Sequence, residues 1–326
     1  MNGGVARRRI LQALGPFLGL LLVVLLFGTL DPDHFLSAEN LRKVAAQTVV
    51  VGLCTLGMTF VVVSGGIDLS IGSTAALASV VTALALRAGL GGAAAMAAGV
   101  ATGAAVGLVN GLVVTRLSIV PFVVTLGTLG IARGVAKWLG DQEPVRVAPD
   151  VARGFQRLMQ IVPEPRWLLL APGVWLLLLL AALMFVVLRH TVLGAWTVAL
   201  GSNEATARLC GVPVARTRTV LYALCGLFSG LAGVMLFARL TVGDPTVAVG
   251  LELRVIAAVV IGGASLAGGE GSILGSLVGA FLMTLLESGC NLVGVENYVQ
   301  EMLVGAIIVA AVGLDRLRHG GGARSA

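Results

Sequence analysis

Apolar runs of about 20 residues, the length of a membrane-spanning helix, recur along almost the whole chain and alternate with short polar gaps. Because the runs are unbroken and show no period of two, they predict helices and not barrel strands. The pattern predicts an all-α, polytopic transmembrane helical bundle that includes short or broken helices. About ten spans are expected, at residues 10–30, 44–63, 71–88, 92–114, 117–138, 167–188, 218–240, 250–266, 271–290 and 296–314.

The composition agrees with a chain that is solvated mainly by lipid. Hydrophobic residues make up 57% of the 326 residues, charged residues make up 12%, and the mean hydropathy is +1.00. These values exclude the surface of a water-soluble globular protein. Residues 1–326 are therefore predicted to form a single integral domain of the cell inner membrane.

Charged residues lie mostly in the gaps between the apolar runs. The 22 basic residues exceed the 16 acidic ones, but they do not form the single basic face of a nucleic-acid binder. Lipid headgroups and water are the expected neighbours, and no nucleic-acid partner is expected. An even number of spans places both termini on one side, and the positive-inside rule assigns that side to the cytoplasm because of Arg7, Arg8, Arg9, Arg316 and Arg318.

One polar segment departs from this charge rule. Residues 140–166 carry four arginines, although the ten-span scheme places the segment outside the cytoplasm. Acidic residues accompany the arginines, so the net charge of the segment is lower than the arginine count suggests.

Two spans carry glycine at every fourth position, which creates a smooth stripe along one face of a helix. A stripe without side chains lets a neighbouring helix backbone approach closely, as in small-xxx-small packing. The stripes predict dense helix packing at Gly99, Gly103, Gly107 and Gly111 and at Gly271, Gly275 and Gly279.

Two apolar runs end in similar sequences, Val-Val-Ser-Gly-Gly at residues 62–66 and Val-Val-Ile-Gly-Gly at residues 259–263. Paired glycine interruptions in the two halves of a chain suggest an internal duplication and broken helices beside a pathway. A buried Asp68 must face protein or water, and either Asp68 or Ser70 caps the next helix or one of them serves the pathway. The candidate pathway or gate residues are Gly65, Gly66, Asp68, Ser70, Gly262 and Gly263.

Residues 189–218 form a basic polar segment between two strong spans, and we expect it in the cytoplasm. Ser202 is a suitable N-cap, Glu204 suits the first turn, and Gly211 followed by Pro213 ends the helix. The predicted helix has about eight residues, which is marginal for a helix alone in water. It therefore needs a surface, which is either a partner protein or the ends of the neighbouring spans.

Sequence signals for catalysis are missing. Neither Lys43 nor Lys137 follows a glycine, so the G-x-x-x-x-G-K-[ST] loop that binds ATP phosphates does not occur. His34, His190 and His319 lie far apart, and the four cysteines show no ligand spacing. We therefore do not expect the chain to be an enzyme, and we expect no catalytic residue, no metal site and no bound cofactor.

Several motifs resemble those of bacterial carbohydrate ABC permeases of the ribose importer type. Residues 65–73 read GGIDLSIGS, which differs from the GGIDLSVGS signature of that family only in Ile71. Residues 193–212 resemble the family's cytoplasmic coupling loop. Further matches at residues 110–111, 121–127 and 262–272 extend the resemblance over about residues 40–315.

The resemblance implies the membrane-spanning permease subunit of an ATP-driven, binding-protein-dependent importer of a small polar solute such as a monosaccharide. It further implies a second permease subunit, identical or different, ATP-binding cassette subunits that use the ATP, and an extracytoplasmic solute-binding protein. In that family the short helix of the coupling loop docks on the ATPase. The implied docking residues are Ser202, Asn203, Glu204, Ala205, Ala207 and Gly211.

Three alternatives remain at this stage. An ion-coupled secondary transporter would need acids or histidines inside the bundle, for which Asp68 alone is thin support. A passive channel would pass its solute without an energy source. Within the ABC class, a permease for branched-chain amino acids or nucleosides also fits the pattern.

Overall fold

The computed structural model describes the backbone of residues 3–319 and the side chains of residues 15–313. This part of the chain is almost entirely helical, so the all-α prediction is confirmed. The first helices are α1 (Gly3–Leu30), α2 (Pro32–Phe35), α3 (Ala38–Val63), α4 (Ile71–Arg87), α5 (Gly92–Arg116) and α6 (Pro121–Leu139). Strand β1 (Val145–Arg146), helix α7 (Pro149–Met159), a 3-10 turn (Arg166–Leu168) and helix α8 (Pro172–His190) follow.

The second half of the chain continues the pattern of long helices with shorter ones between them. Its elements are α9 (Val192–Ser202), α10 (Glu204–Leu209), α11 (Val214–Leu240), β2 (Val242–Gly243), α12 (Leu251–Ile261), α13 (Ile273–Leu292) and α14 (Asn297–His319). The side chains of Arg7, Arg8, Arg9, Arg316 and Arg318 lie outside the described residues, so the cytoplasmic placement of the termini stays a prediction.

Helices α3 and α11 form the centre of the bundle. Every residue from 48 to 64 is buried, and α11 packs against α3, α4 and α5. Helix α6 lies at the periphery, where Val123, Ile131 and Trp138 expose apolar side chains. An apolar core surrounded by exposed apolar side chains is the arrangement expected of a bundle in lipid.

Each of the ten predicted spans contains a helix, but the helices differ in length. Within the described residues, six helices are long and apolar enough to cross a membrane: Ala38–Val63, Gly92–Arg116, Pro121–Leu139, Arg166–His190, Val214–Leu240 and Ile273–Leu292. Helix α12 has 11 residues and is therefore about 16 Å long, roughly half of the hydrocarbon thickness. The count of about ten full spans is thus not confirmed by length.

The stripe glycines that lie within helices are at helix crossings, as predicted, but Gly271 precedes α13, so its place in a helix stripe was predicted wrongly. Gly103 of α5 faces the backbone of Gly226 and Gly230 in α11, and a Cβ built on Gly103 would lie 2.5 Å from the Gly230 nitrogen. Gly279 of α13 faces the backbone of Ala258 in α12 in the same way. No side chain separates these backbones, so each glycine is required by the close approach itself.

Both glycine interruptions form the same turn at the end of a helix. Gly65 follows α3 with φ +80, and Gly263 follows α12 with φ +91. Each donates its N–H to the carbonyl three residues earlier, at 2.9 Å. The equivalent residues are therefore Gly65 and Gly263, one position away from the sequence match of Gly65 with Gly262. Only a residue without a Cβ adopts this left-handed turn without strain, so the turn fixes the register.

Helix α11 runs the length of the bundle and defines its two ends. At one end, called the α10 end, α11 begins beside α10. At the other, called the β end, β1 pairs antiparallel with β2, with Val145 opposite Gly243. Helix α7 belongs to the β end, and its buried Phe155 packs edge-on against Phe237 of α11 at 5.2 Å.

Candidate functional site

The segment 189–218 contains two helices and not the single one predicted. Thr191 caps α9, and the apolar sequence from Val192 to Leu200 favours a helix that the polar character of the whole segment had hidden. Ser202 is the last residue of α9, where its hydroxyl donates to the Val198 carbonyl at 2.8 Å. The prediction that Ser202 caps the short helix was therefore wrong.

The N-cap of α10 is Asn203, whose side chain accepts the N–H of Thr206 at 2.9 Å. Asparagine and serine are about equally good N-caps, so the sequence alone did not separate the two positions. Helix α10 has six residues and not eight. Gly211, with φ +82, follows the helix and ends it as predicted.

Helix α10 has one buried side and one exposed side. Ala207 is 4% exposed and fixes the helix to the protein, whereas Ala205 is exposed and Leu209 is 89% exposed. An apolar side chain that protrudes from a capped helix adds nothing to the stability of its own chain. Leu209 is therefore available for contact with a partner. Leu209 was missed in the sequence because its exposure depends on where Ala207 docks.

Glu204 connects α10 to α11 through ion pairs. Its carboxylate accepts from Arg218 at 2.8 Å and from Arg208 at 3.0 Å. The hydrogen bond from Arg218, followed by other favourable effects of both arginines, lowers the pKa of Glu204 below its ordinary value despite some desolvation. Glu204 is therefore ionised at neutral pH. Because the pairs are partly exposed, they orient α10 more than they stabilise it.

The C-terminal end of α9 contacts the first glycine interruption and the loop that follows the second one. A Cβ built on Gly201 would meet the Val63 carbonyl oxygen and the Gly269 nitrogen, and one built on Gly268 would lie 2.7 Å from the Gly201 oxygen. The Gly269 N–H also donates to the Val63 carbonyl at 2.8 Å. We call this contact of Val63, Gly65, Gly201, Gly268 and Gly269 the break junction. Because backbones touch directly there, we expect a movement of α9 to move the end of α3 and the loop that connects α12 to α13.

Asp68 lies beyond the break junction and is buried with Ser70; each is 1% exposed. One Asp68 oxygen accepts from the Ser70 N–H at 2.8 Å and from the Ser70 hydroxyl at 2.6 Å. Ser70 is the N-cap of α4, but its side chain forms no capping hydrogen bond, and Asp68 accepts from Ser70 and not from a first-turn N–H, so the predicted side-chain cap is not confirmed. A role for Gly65, Gly66, Asp68, Ser70, Gly262 or Gly263 in the solute pathway stays a prediction.

A chain of hydrogen bonds leads from Asp68 across three helices. The Asn110 amide of α5 donates to the Ser70 hydroxyl at 2.9 Å, and the Thr128 hydroxyl of α6 donates to the Asn110 carbonyl oxygen at 2.6 Å. Asn110 is completely buried. Its amide in an otherwise apolar span was a signal for a structural or functional role, but the sequence could not supply its partners.

We expect Asn110→Leu to lower the unfolding midpoint of the purified protein in detergent. Loss of the amide removes the two buried hydrogen bonds that join α5 to Ser70 and to Thr128, which costs about 1–3 kcal/mol. The matched control is Thr102→Val on the same helix, whose hydroxyl bonds only the Ala98 carbonyl in its own helix. Equal unfolding midpoints for the Asn110 variant and the wild type would contradict the structural importance of the chain.

The far side of α4 meets a segment from the second half of the chain. Gly72 faces the Ala248 carbonyl and the Glu252 carboxylate, each 2.5 Å from a built Cβ. Arg133 of α6 donates to the Pro245 and Val247 carbonyls at 2.8 and 2.6 Å. Residues 245–252 are thus held between α4 and α6, beside the first turn of α4, which follows the first interruption.

One ion pair of the second half joins two helices. Glu287 lies within α13 and accepts from Arg254 of α12 at 2.6 Å. The two residues are separated by 33 positions, so no local pattern predicted their ion pair. Among the described residues, no group of three or more His, Cys, Asp or Glu side chains could hold a metal ion.

Comparison with known proteins assigns the chain to a family. A family model described as the permease component of a branched-chain amino acid transport system matches residues 40–312. The chain belongs to this permease family. The match covers α3 to α13 and most of α14, and it includes the segment 189–218 and both interruptions. The resemblance to ABC permeases seen in the sequence is confirmed.

Individual relatives of the permease are similar over nearly their full length. It is 39% identical to the ribose import permease protein RbsC of Bacillus subtilis, over 94% of each chain. It is 34% identical to the D-allose transport system permease protein AlsC of Escherichia coli, over 93% of this chain and 91% of the relative. The L-arabinose transport system permease protein AraH of Escherichia coli is 36% identical, over 88% and 85%. No solved structure matches the permease significantly.

Proposed function

We propose that this permease forms the membrane pathway of an ATP-driven, binding-protein-dependent importer of a monosaccharide. The support for the solute class comes from relatives named as ribose, D-allose and L-arabinose permeases. Their similarity extends over at least 85% of each of these relatives, so it does not depend on a single motif. The permease family itself supports transport and not catalysis.

The main support for an ATP-driven mechanism is the geometry of α10. A capped helix with the exposed Leu209 at its tip offers a partner an apolar contact, and Ala207 and the Glu204–Arg218 pair hold it in place. We propose that a separate ATP-binding cassette subunit docks on this surface. Ala205 and Leu209 are the contacts that the helix exposes, whereas Ala207 faces its own protein.

The break junction suggests how docking would affect the pathway. When ATP draws the two ATPase subunits together, each moves the α9–α10 unit that it holds. The backbone contact of Gly201 with Val63 and Gly269 carries that movement to the ends of α3 and of the interruption after α12. A shift of these interrupted helices alternates the access to the pathway between the two sides.

The proposed orientation places the α10 end in the cytoplasm and the β end outside. Arg189, Arg208, Arg216 and Arg218 lie in the segment around α9 and α10, in agreement with the positive-inside rule. A second permease subunit, two ATPase subunits and an extracytoplasmic solute-binding protein complete the importer in the inner membrane. Both termini of the permease then face the cytoplasm.

The test is solute uptake in proteoliposomes that contain the permease together with a partner ATPase, with the solute-binding protein added on the opposite side. We expect uptake of a labelled pentose or hexose to require ATP on the α10 side and to be insensitive to an uncoupler. Uptake that an uncoupler abolishes, with no need for ATP or the ATPase, would instead indicate an ion-coupled carrier. Uptake of leucine but of no sugar would favour the amino-acid class in the family description.

A further inference from the structure

The four arginines in residues 140–166 lie on the side where the positive-inside rule disfavours them. Arg146 belongs to β1, Arg153 and Arg157 belong to α7, and Arg166 follows, all in the segment of the β end. In the proposed orientation this end faces away from the cytoplasm. Import of a neutral sugar does not explain these cations, so we looked for a separate role for them in the structure around them.

The structure gathers cations from three elements around one cavity. A cavity of about 530 Å³ is lined by Lys43 of α3, Arg153 and Arg157 of α7, and Arg239 at the end of α11, with Glu164 as the one acidic residue. We call it the basic pocket. The remaining polar lining is neutral, from three glutamines. A concave surface with four cations and one anion attracts negative charge.

The cations of the basic pocket are hardly neutralised by the permease itself. Arg153 pairs with Asp150 at 3.3 Å, but both side chains are more than 70% exposed, so this pair is weak. Among the described residues, Lys43, Arg157 and Arg239 form no ion pair within 4.0 Å. Most of the charge is therefore available to a partner.

We propose that the basic pocket is the docking surface for acidic side chains of the extracytoplasmic solute-binding protein. This inference rests on the proposed function, because only a binding-protein-dependent importer has such a partner. The pocket lies on the side from which that protein must arrive, and Arg153 and Arg157 present guanidinium groups suited to paired hydrogen bonds with carboxylates. Opposite charges would also orient the approaching protein before contact.

Helix α7 holds two of these cations in a fixed position. Its apolar side, with Ala152, Phe155 and Met159, is buried, and the ring of Phe155 rests on Phe237. The exposed side of the helix carries Arg153 and Arg157. A surface helix that is anchored in this way loses little conformational freedom when a partner binds.

The floor of the basic pocket favours a protein over an anionic lipid. A lipid headgroup brings two acyl chains, which need an open apolar groove that continues from the pocket down the bundle. The apolar lining residues Ala46, Met159 and Ala238 are each at most 5% exposed and offer little surface to an acyl chain, which leaves Ile161 as the one exposed apolar side chain of the lining. The cations remain accessible from above, where acidic side chains would enter.

The test compares the double variant Arg153→Glu, Arg157→Glu with the matched control Arg146→Glu, which reverses a charge in the same segment outside the pocket. The affinity of the purified solute-binding protein is measured for the full transporter in nanodiscs of neutral phosphatidylcholine. We expect the double variant to weaken binding on the order of tenfold, and the control to bind like the wild type. Raising the salt concentration should weaken wild-type binding but change that of the double variant much less.

Two outcomes would overturn the inference. The first is wild-type affinity in the double variant. The second is a loss of activity that varies only with the phosphatidylglycerol content of the nanodiscs, with unchanged protein binding, which would assign the pocket to lipid. Co-purification of the ATPase with each variant is measured in parallel. If the ATPase binds and the solute-binding protein is indifferent to these charges, only the docking inference fails. If the wild-type permease binds no ATPase, the proposed function fails.

Discussion

Replacing Gly107 by leucine is expected to abolish the folded permease, whereas the same replacement at Gly305 is expected to leave it intact. A Cβ on Gly107 would meet the Tyr222 carbonyl oxygen and would lie 2.9 Å from the Gly226 nitrogen and Cα. These atoms belong to a backbone and cannot turn aside as a side chain can. Helices α5 and α11 would have to separate along their whole crossing, which we expect to cost about 3 kcal/mol or more.

The choice of control makes this result specific. Gly305 also lies within an apolar helix, α14, but a Cβ built there meets nothing within 4 Å. Both leucine variants are compared by membrane yield and by the fraction of monodisperse protein in detergent. Gly107→Ala should give an intermediate loss, because one methyl group already meets the Tyr222 carbonyl oxygen. If Gly107→Leu were as monodisperse as Gly305→Leu, the described crossing of α5 and α11 would be wrong.

Much of the bundle was predictable because lipid imposes local rules. The length of an apolar run and the spacing of Gly103 and Gly107 follow from one helix alone, and both were recognised in the sequence. The partner of the stripe was not predictable, since Gly226 lies more than 100 positions away. A local sequence pattern cannot identify a contact between residues so far apart in the chain.

The candidate site was predictable only where local backbone chemistry decides the structure. Gly211 ends α10 because it takes a positive φ, which is a property of glycine itself. Ser202 and Asn203 could each serve as the N-cap of α10, and the choice between them depends on where α9 ends. The link from Ser70 to Asn110 depends on the contact of α4 with α5 across 40 positions. Such contacts are set by tertiary packing and not by motif.

The same distinction explains the two interruptions. In the sequence, the paired glycines of each half suggested an alignment of Gly65 with Gly262. The structure aligns Gly65 with Gly263, because a helix C-terminus selects the residue that can adopt the left-handed conformation. The end of α3 and the loop after α12 then meet each other through the hydrogen bond from Gly269 to Val63, and both contact Gly201. The connection between the α10 surface and the helix ends was therefore invisible to a search for repeated motifs.

Replacing Leu209 by aspartate is expected to remove ATPase binding while the permease remains folded. The side chain is 89% exposed, so its loss removes almost no packing from the permease itself. If the ATPase buries it, the variant loses about 1.5–3 kcal/mol of apolar contact and must also desolvate a carboxylate. Together these costs should weaken the complex by about 100-fold or more, at 1.4 kcal/mol for each tenfold change.

The affinity of the ATPase for the detergent-purified permease measures this effect, and the unfolding midpoint of the permease alone checks the fold. Leu209→Met is the matched control, because methionine keeps the apolar volume and should bind like the wild type.

Glu204→Arg tests the same surface at the first residue of α10. The variant places a third guanidinium beside Arg208 and Arg218, so α10 should turn away from α11 and uptake should become uncoupled from ATP hydrolysis. Full ATPase binding by Leu209→Asp would mean that the ATPase docks on another surface. In that case α10 would not transmit the movement of the ATPase through Gly201 to the interrupted helices.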